Sequence, residues 1–306
     1  MVYMTKRIIF FNTKGQIRPG YLIILATVIL IGSTLIAQIA ASLVNLIFPN
    51  ATVYTHFGSA PVTIVYTIFY GFFTWWLSKI VFKKFFQPED LAMVDCFTFN
   101  SKVIKNIGGG MLLGVVAIVA VVIPLYITGD YAIDFGGFEV ITLLLYFCIF
   151  IAIGISEEVI LRGLMQHALM RYNKWAALVI ISAVFGIFHL SNPNFTIVSL
   201  LGIFLAGMFL GLSMYATGSI TVAIGTHLTW NFFQGPVLGI PVSGMGTEGS
   251  IFITTIEGAN DLITGGEFGA ESSLSCLIVL TVISFTFYLH YRKKERRTVT
   301  TTNAEY

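Results

Sequence analysis

This sequence predicts an all-α fold, a polytopic transmembrane bundle of about eight helices, on three observations. The chain has 306 residues, of which 56% are apolar and only 10% charged, with a mean hydropathy of +0.86. Soluble domains carry about 25% charged residues, so the polar surface here is too small to cover a water-soluble globule and a bilayer must be the main solvent. No Asp, Glu, Lys or Arg occurs from Pro19 to Ser78, a stretch well beyond the roughly 20 residues that one helix needs to cross a hydrocarbon core. The basic residues are confined to a few short segments, as in the alternate loops of a multi-pass protein.

Turn-like residues at Pro49–Asn50 and over 58–61 divide the first apolar stretch into spans at 21–48 and 61–81. Six more follow at 107–128, 138–161, 175–190, 196–216, 219–234 and 273–291, of which the fifth and seventh are short. The first span is too long for a signal-peptide core, and no small-residue cleavage site follows it. Gly110 with Gly114, and Gly207 with Gly211, have the four-residue spacing that lets helices pack closely. The Gly-rich segment 235–272 is a long loop with a strand-like run at Ile251–Ile256. It reads equally as a lid or as a disordered loop.

The charges orient the chain. Lys6, Arg7, Lys14 and Arg18 precede the first span, and Lys79, Lys83, Lys84, Lys102 and Lys105 lie between the second and third. Arg162, Arg171 and Lys174 lie between the fourth and fifth, and Arg292, Lys293, Lys294, Arg296 and Arg297 follow the eighth. These are all 17 Lys and Arg residues, and eight spans put every one on a single side. By the positive-inside rule that side is the cytoplasm, which gives a multi-pass cell-membrane protein with both termini inside. The opposite loops hold Asp130, Asp134, Glu139, Glu248, Glu257, Asp261, Glu267 and Glu271 without a base. The tail 292–306 serves as a topology anchor, with anionic lipid as a second reading. Cys96, Cys148 and Cys276 have no disulfide, redox or zinc-ligand spacing. There is no repeat, phosphate loop or nucleic-acid signature, so the partners are the bilayer and whatever the polar groups inside it serve.

Ionisable residues within spans are costly and point to function. Three clusters stand out. Glu157, Glu158 and Arg162 lie at the inner part of span four. Glu158 and Arg162, four apart, share a helical face and can neutralise each other. Glu157 is turned about 100° away and is left without a partner on its own helix, as suits a general base. The plainer account is a helix end emerging into water. Phe185 and His189 lie in span five, where a histidine can also simply bridge helices. His227 and Asn231, four apart in span seven, offer donors on one face. These suit an oxyanion or plain interhelical hydrogen bonding. The other histidines stand apart: His56 in an outer loop, His167 after span four and His290 at the end of span eight.

In this order the clusters resemble the CPBP family (CAAX protease and bacteriocin-processing), whose pattern is E-E-x-x-x-R, then F-x-x-x-H, then H-x-x-x-N/D. Every position is present, over about residues 140–245. The resemblance implies a single integral membrane domain, 1–306, with a catalytic core at 138–245. It implies hydrolysis of peptide bonds within the membrane, in a peptide, a prenylated protein or another membrane protein. Glu157 would activate water together with His189, His227 and Asn231 would hold the oxyanion, and Glu158, Arg162 and Phe185 would support them. The family often carries the metalloprotease label, and Glu157, His189 and His227 could form a His₂Glu zinc site. H-E-x-x-H is absent, however, and a glutamate-activated water needs no metal, so the preferred mechanism has no cofactor and zinc is the alternative. A proton-coupled transporter and a non-catalytic immunity or scaffold protein are the competing functions. No inverted-repeat halves support the transporter.

One geometric difficulty follows from the spans. His189 lies 15 residues beyond Lys174, roughly 22 Å along a straight helix, whereas Glu157 lies roughly 7–8 Å before Arg162. For them to meet, Arg162 must be drawn into the bundle or span four must kink. The orientation is open to direct test: single cysteines in the 292–306 tail should label only from the cytoplasmic face of intact cells, and those in 235–272 only from outside. Labelling of the tail from outside would overturn the topology.

Overall fold

The computed structural model describes residues 17–47, 54–55, 58–86, 93–98 and 100–304. Lys6, Arg7, Lys14, Pro49, Asn50 and His56 lie outside them. Eight long helices follow the predicted order. They are α1 (Pro19–Ile47), α2 (Ala60–Phe85), α3 (Ser101–Ile127), α4 (Val140–Glu158), α5 (Lys174–Phe188), α6 (Ile197–Thr217), α7 (Ile220–Phe232) and α8 (Leu274–Ala304). α4 continues without a break through wider, π-helical turns at Val159–Gln166 and a last α-turn at His167–Met170. Among the described residues six helices, with α4 counted over Val140–Met170, are long and apolar enough to cross a membrane. α5 has 15 residues and α7 has 13. At 1.5 Å per residue they reach roughly 20 Å, short of a hydrocarbon core of about 30 Å. Both are held inside a frame of full-length helices, and both carry polar residues.

Local sequence sets the ends of these two helices. Asn173 caps α5 by accepting hydrogen bonds from the backbone N–H groups of Trp175 and Ala176. α6 begins with a Thr196–Ser199 capping box and ends on Gly218, whose φ of +72° favours glycine. Ser219 follows at once as the N-cap of α7. The chain therefore reverses within two residues and sends α7 back through the centre of the bundle. Every residue from Ile220 to Asn231 is buried, including the polar Thr221, Thr226, His227, Thr229 and Asn231. In contrast, α1 buries a stripe of Leu22, Ala26, Ile29, Ser33 and Ala37 and leaves Ile24, Val28, Ile31, Leu35 and Ile39 exposed, the face offered to lipid.

α7 packs most closely on α3, and glycines on both helices make this possible. A Cβ at Gly110 would meet the carbonyl of Val222, one at Gly114 the carbonyl of Thr226, and one at Gly225 the carbonyl of Ile107. At this range Thr226 Oγ1 donates to the Gly110 carbonyl at 3.1 Å and Thr229 Oγ1 to that of Met111 at 2.8 Å. The second pair, Gly207 and Gly211, seats α6 against Ser182 and Leu178 of α5 and against Gln166.

Three expectations are corrected here. Arg162 is not in a cytoplasmic loop: it is fully buried, because span four runs to Met170 and not to 161. His167 is likewise buried within that extension. The disordered alternative for 235–272 fails. Its strand β2 (Phe252–Ile256) pairs antiparallel with β1 (Tyr131–Phe135), from Tyr131↔Ile256 to Phe135↔Phe252. The rest is pinned by bonds from Gln234 Nε2 to the Pro241 carbonyl (2.6 Å), from Gly244 N to that of Phe268 (2.8 Å) and from Asn192 Nδ2 to that of Ser243 (3.0 Å).

The α3–α7 crossing makes a direct prediction. Gly110→Ala and Gly225→Ala should each cost about 1–3 kcal/mol, as overpacking does, and lower the thermal midpoint in detergent. Gly32→Ala, where nothing lies within 4 Å of the added carbon, should leave the midpoint unchanged.

Candidate active site

The polar core begins with Arg162. Its Nη1 lies 3.0 Å from Glu158 Oε1, its Nη2 donates to the Gly207 carbonyl at 3.2 Å, and its guanidinium stacks 4.6 Å from the centre of the Phe185 ring. The same Glu158 oxygen lies 3.0 Å from His227 Nδ1. One carboxylate oxygen thus holds a guanidinium on its own helix and an imidazole on α7. Glu158 and Arg162 are both fully buried. The π-helical turns start at the residue after Glu158, and such turns often mark functional positions in helices. The span-four difficulty is resolved by extension: Arg162 enters the bundle and Glu157 lies deep along a helix that reaches Met170.

Glu157 faces the other way. With His189, His227 and Asn231 it lines one cavity of about 230 Å³, walled by Tyr146, Phe150, Ile203, Phe209 and Trp230. Its Oε2 is buried and has no hydrogen-bond partner among the described residues. His189, just past the end of α5, places Nδ1 2.8 Å from the Phe185 carbonyl. A carbonyl only accepts, so Nδ1 carries the hydrogen and the neutral ring keeps its lone pair on Nε2. Phe185 spaces the group: its ring meets His189 edge-on at 4.8 Å and His227 at 5.9 Å, with Arg162 stacked upon it. The structure therefore brings all four predicted catalytic positions and Phe185 to one cavity, with Arg162 stacked on Phe185 and Glu158 bonded to His227.

No three His, Cys, Asp or Glu side chains among the described residues are arranged to hold a metal ion.

The sequence reading missed two residues. Ser243 and Glu271, from the segment read as an outer loop, line the same cavity. Glu271 sits in the short turn Ala270–Ser272 ahead of α8 and is 5% exposed. Its Oε2 accepts from the backbone N–H of Ser243 at 2.5 Å and from the Ser243 hydroxyl at 2.9 Å. Burial pushes the Glu271 carboxyl above its ordinary value, opposed by the hydrogen bonds from Ser243 and Gln234 and by the nearby His189 ring. Only the run of small residues flanking Glu271 hinted in sequence at such close packing.

Residues 139–233 match the family described as Type II CAAX prenyl endopeptidase Rce1-like. They begin at the residue before α4 and end just past α7, so the match takes in Glu157, Glu158, Arg162, Phe185, His189, His227 and Asn231 and stops short of Ser243 and Glu271. No curated protein matches the chain.

The shared Glu158 oxygen predicts which ionic residue is structural. Glu158→Gln leaves a buried guanidinium without its counter-charge, and breaking such a pair costs about 3–5 kcal/mol. The variant should fall in yield and thermal midpoint, and part of the loss should return in the Glu158→Gln/Arg162→Met double variant. Equal stability of the Glu158→Gln variant and the wild type would contradict the assignment.

Proposed function

We propose that this chain, whose residues 139–233 match the Type II CAAX prenyl endopeptidase Rce1-like family, is a CAAX-type protease that hydrolyses peptide bonds of a membrane-embedded substrate by a glutamate-activated water. The family is one of CAAX-type intramembrane endopeptidases, and the apolar helices fit a multi-pass membrane protein. The observation that carries the proposal is the cavity lined by Glu157, His189, His227 and Asn231.

Glu157 is the base. Its unpartnered oxygen takes a proton from water as the water attacks the scissile carbonyl, and His189 Nε2 accepts a hydrogen bond from the same water and orients it. His227 and Asn231, one turn apart on α7, donate to the oxyanion. Since His227 Nδ1 donates to Glu158, donation from Nε2 requires the doubly protonated ring, and the Glu158 carboxylate stands beside it to balance that charge. Glu158 and Arg162 hold this imidazole in place without touching substrate. The topology of the proposal keeps both termini in the cytoplasm, on the charge distribution alone. The substrate class of the proposal is a prenylated protein ending in Cys-aliphatic-aliphatic-X, as the family description implies.

Glu157→Gln tests the base, because it keeps size and hydrogen bonding and removes the basic oxygen. The variant should insert and melt like wild type while cleavage of a farnesylated Cys-aliphatic-aliphatic-X peptide in proteoliposomes falls to background. Near-normal turnover would remove Glu157 as base and weaken the peptidase reading with it. Chelation should leave wild-type cleavage unchanged, and stoichiometric zinc in active protein, with activity lost on chelation and restored by zinc, would overturn the metal-free mechanism.

A further inference from the structure

A water-activating carboxylate accounts for half of peptide hydrolysis. The other half is the departure of an amine, which leaves as a neutral group only if its nitrogen gains a proton. We propose that Glu271 is that proton donor, a second catalytic carboxyl in the cavity that Glu157 also lines. This inference rests on the peptidase reading above.

The geometry carries it. Glu271 reaches the cavity from the turn ahead of α8, whereas Glu157 comes from α4, so the two carboxyls approach from separate elements. Both donors of Ser243 converge on one oxygen, Oε2. Oε1 lies outside that clasp, and the Gln234 side chain is the other group that hydrogen-bonds to the carboxyl. The Ser243 carbonyl is held by Asn192 Nδ2 at 3.0 Å, which fixes the clasp. No Lys or Arg forms an ion pair with Glu271 among the described residues. The groups that face it are His189 at the end of α5, Glu157 on α4, His227 on α7 with Arg162 behind Phe185, and the Cys276 thiol on α8. Burial raises the Glu271 pKa against these influences, which favours the protonated form. Two carboxyls held in unlike environments commonly divide the acid and base roles in this way.

The step balances. Glu157 removes one proton from water as the new C–O bond forms, and the carbonyl electron pair moves to oxygen, where His227 and Asn231 receive it. As the pair returns, the C–N bond breaks with its electrons on nitrogen, and Glu271 transfers its proton there. A carboxylic acid and an amine leave. The proton on Glu157 then passes through cavity water to the Glu271 carboxylate and restores both groups.

The test compares two probes, a farnesylated Cys-aliphatic-aliphatic-X peptide and its analogue with a thioester at the scissile position, whose thiolate departs without a proton. Glu271→Gln keeps an acceptor oxygen for Ser243 and removes the acid. It should slow amide cleavage about 10²–10⁴-fold, the range of general acid–base catalysis, and leave thioester cleavage within a few-fold of wild type. Equal loss on both probes would mean that Glu271 is merely structural and would overturn the proposal. Wild-type enzyme alone gives a second reading: kcat/KM for the amide should fall as pH rises through the elevated Glu271 pKa, and the thioester should show no such limb. An alkaline limb on both probes, or on neither, would also overturn it. Infrared spectroscopy needs no substrate. A protonated-carboxyl band at neutral pH should vanish in Glu271→Gln and persist in Glu157→Gln, and an unchanged band would refute the assignment. A wild type that cleaves neither probe would fault the peptidase reading, while the infrared band would still decide whether Glu271 carries the proton.

Discussion

Glu158 Oε1 is within 3.0 Å of both Arg162 Nη1 and His227 Nδ1, and much of the polar interior is organised around that atom. A guanidinium buried in a bilayer protein is tolerable only with a counter-charge and satisfied donors. Glu158 supplies the charge, the Gly207 carbonyl accepts one donor, and the Phe185 ring covers the face. These contacts join α4, α5, α6 and α7 at one level. They also fix the His227 ring, and with it which nitrogen can turn to the cavity. The pair contributes little net stability relative to an apolar substitute. Its consequence is a geometry that no apolar packing would specify.

Close backbone approach is the second constraint. α7 is shorter than a membrane crossing and wholly buried, so its position depends on neighbours rather than on lipid. Gly110, Gly114 and Gly225 let α3 and α7 come near enough for Thr226 and Thr229 to bond carbonyls of α3. The two-residue reversal at Gly218 and Ser219 sets where α7 begins. Together they place His227 and Asn231 partway along the bundle, at the level reached by Glu157 and by the end of α5.

The two carboxyls at the cavity differ because their surroundings differ. Glu157 is half-buried, with an oxygen that finds no donor among the described residues. Glu271 is buried more deeply, and its single clasped oxygen receives both Ser243 donors. The loop that carries Ser243 is held to the bundle by Asn192, Gln234 and the β1–β2 pair, so the environment of Glu271 depends on segments far apart in the chain.

The helical class, the order of the eight helices and the Glu158–Arg162 pair were all legible in the sequence, because they follow from composition and from contacts within one helix. The strand at 251–256 was legible from its β-branched run, and the glycine pairs announced close crossings without naming the partners. The sequence could not show that Arg162 lies inside the bundle, since an arginine near a helix end is ordinarily solvated and only the surrounding helices could offer it Gly207 and Phe185. Nor could it reveal Glu271 as a cavity residue. A glutamate in a Gly-rich loop looks like any solvated acid until the loop folds back, and that return is decided by hydrogen bonds from Asn192, Gln234 and Ser243 across long sequence separations. Periodicity and short-range pairing were written in the chain. Burial of charge was decided only when distant segments met, because the cost of a buried charge depends on neighbours that no local window contains.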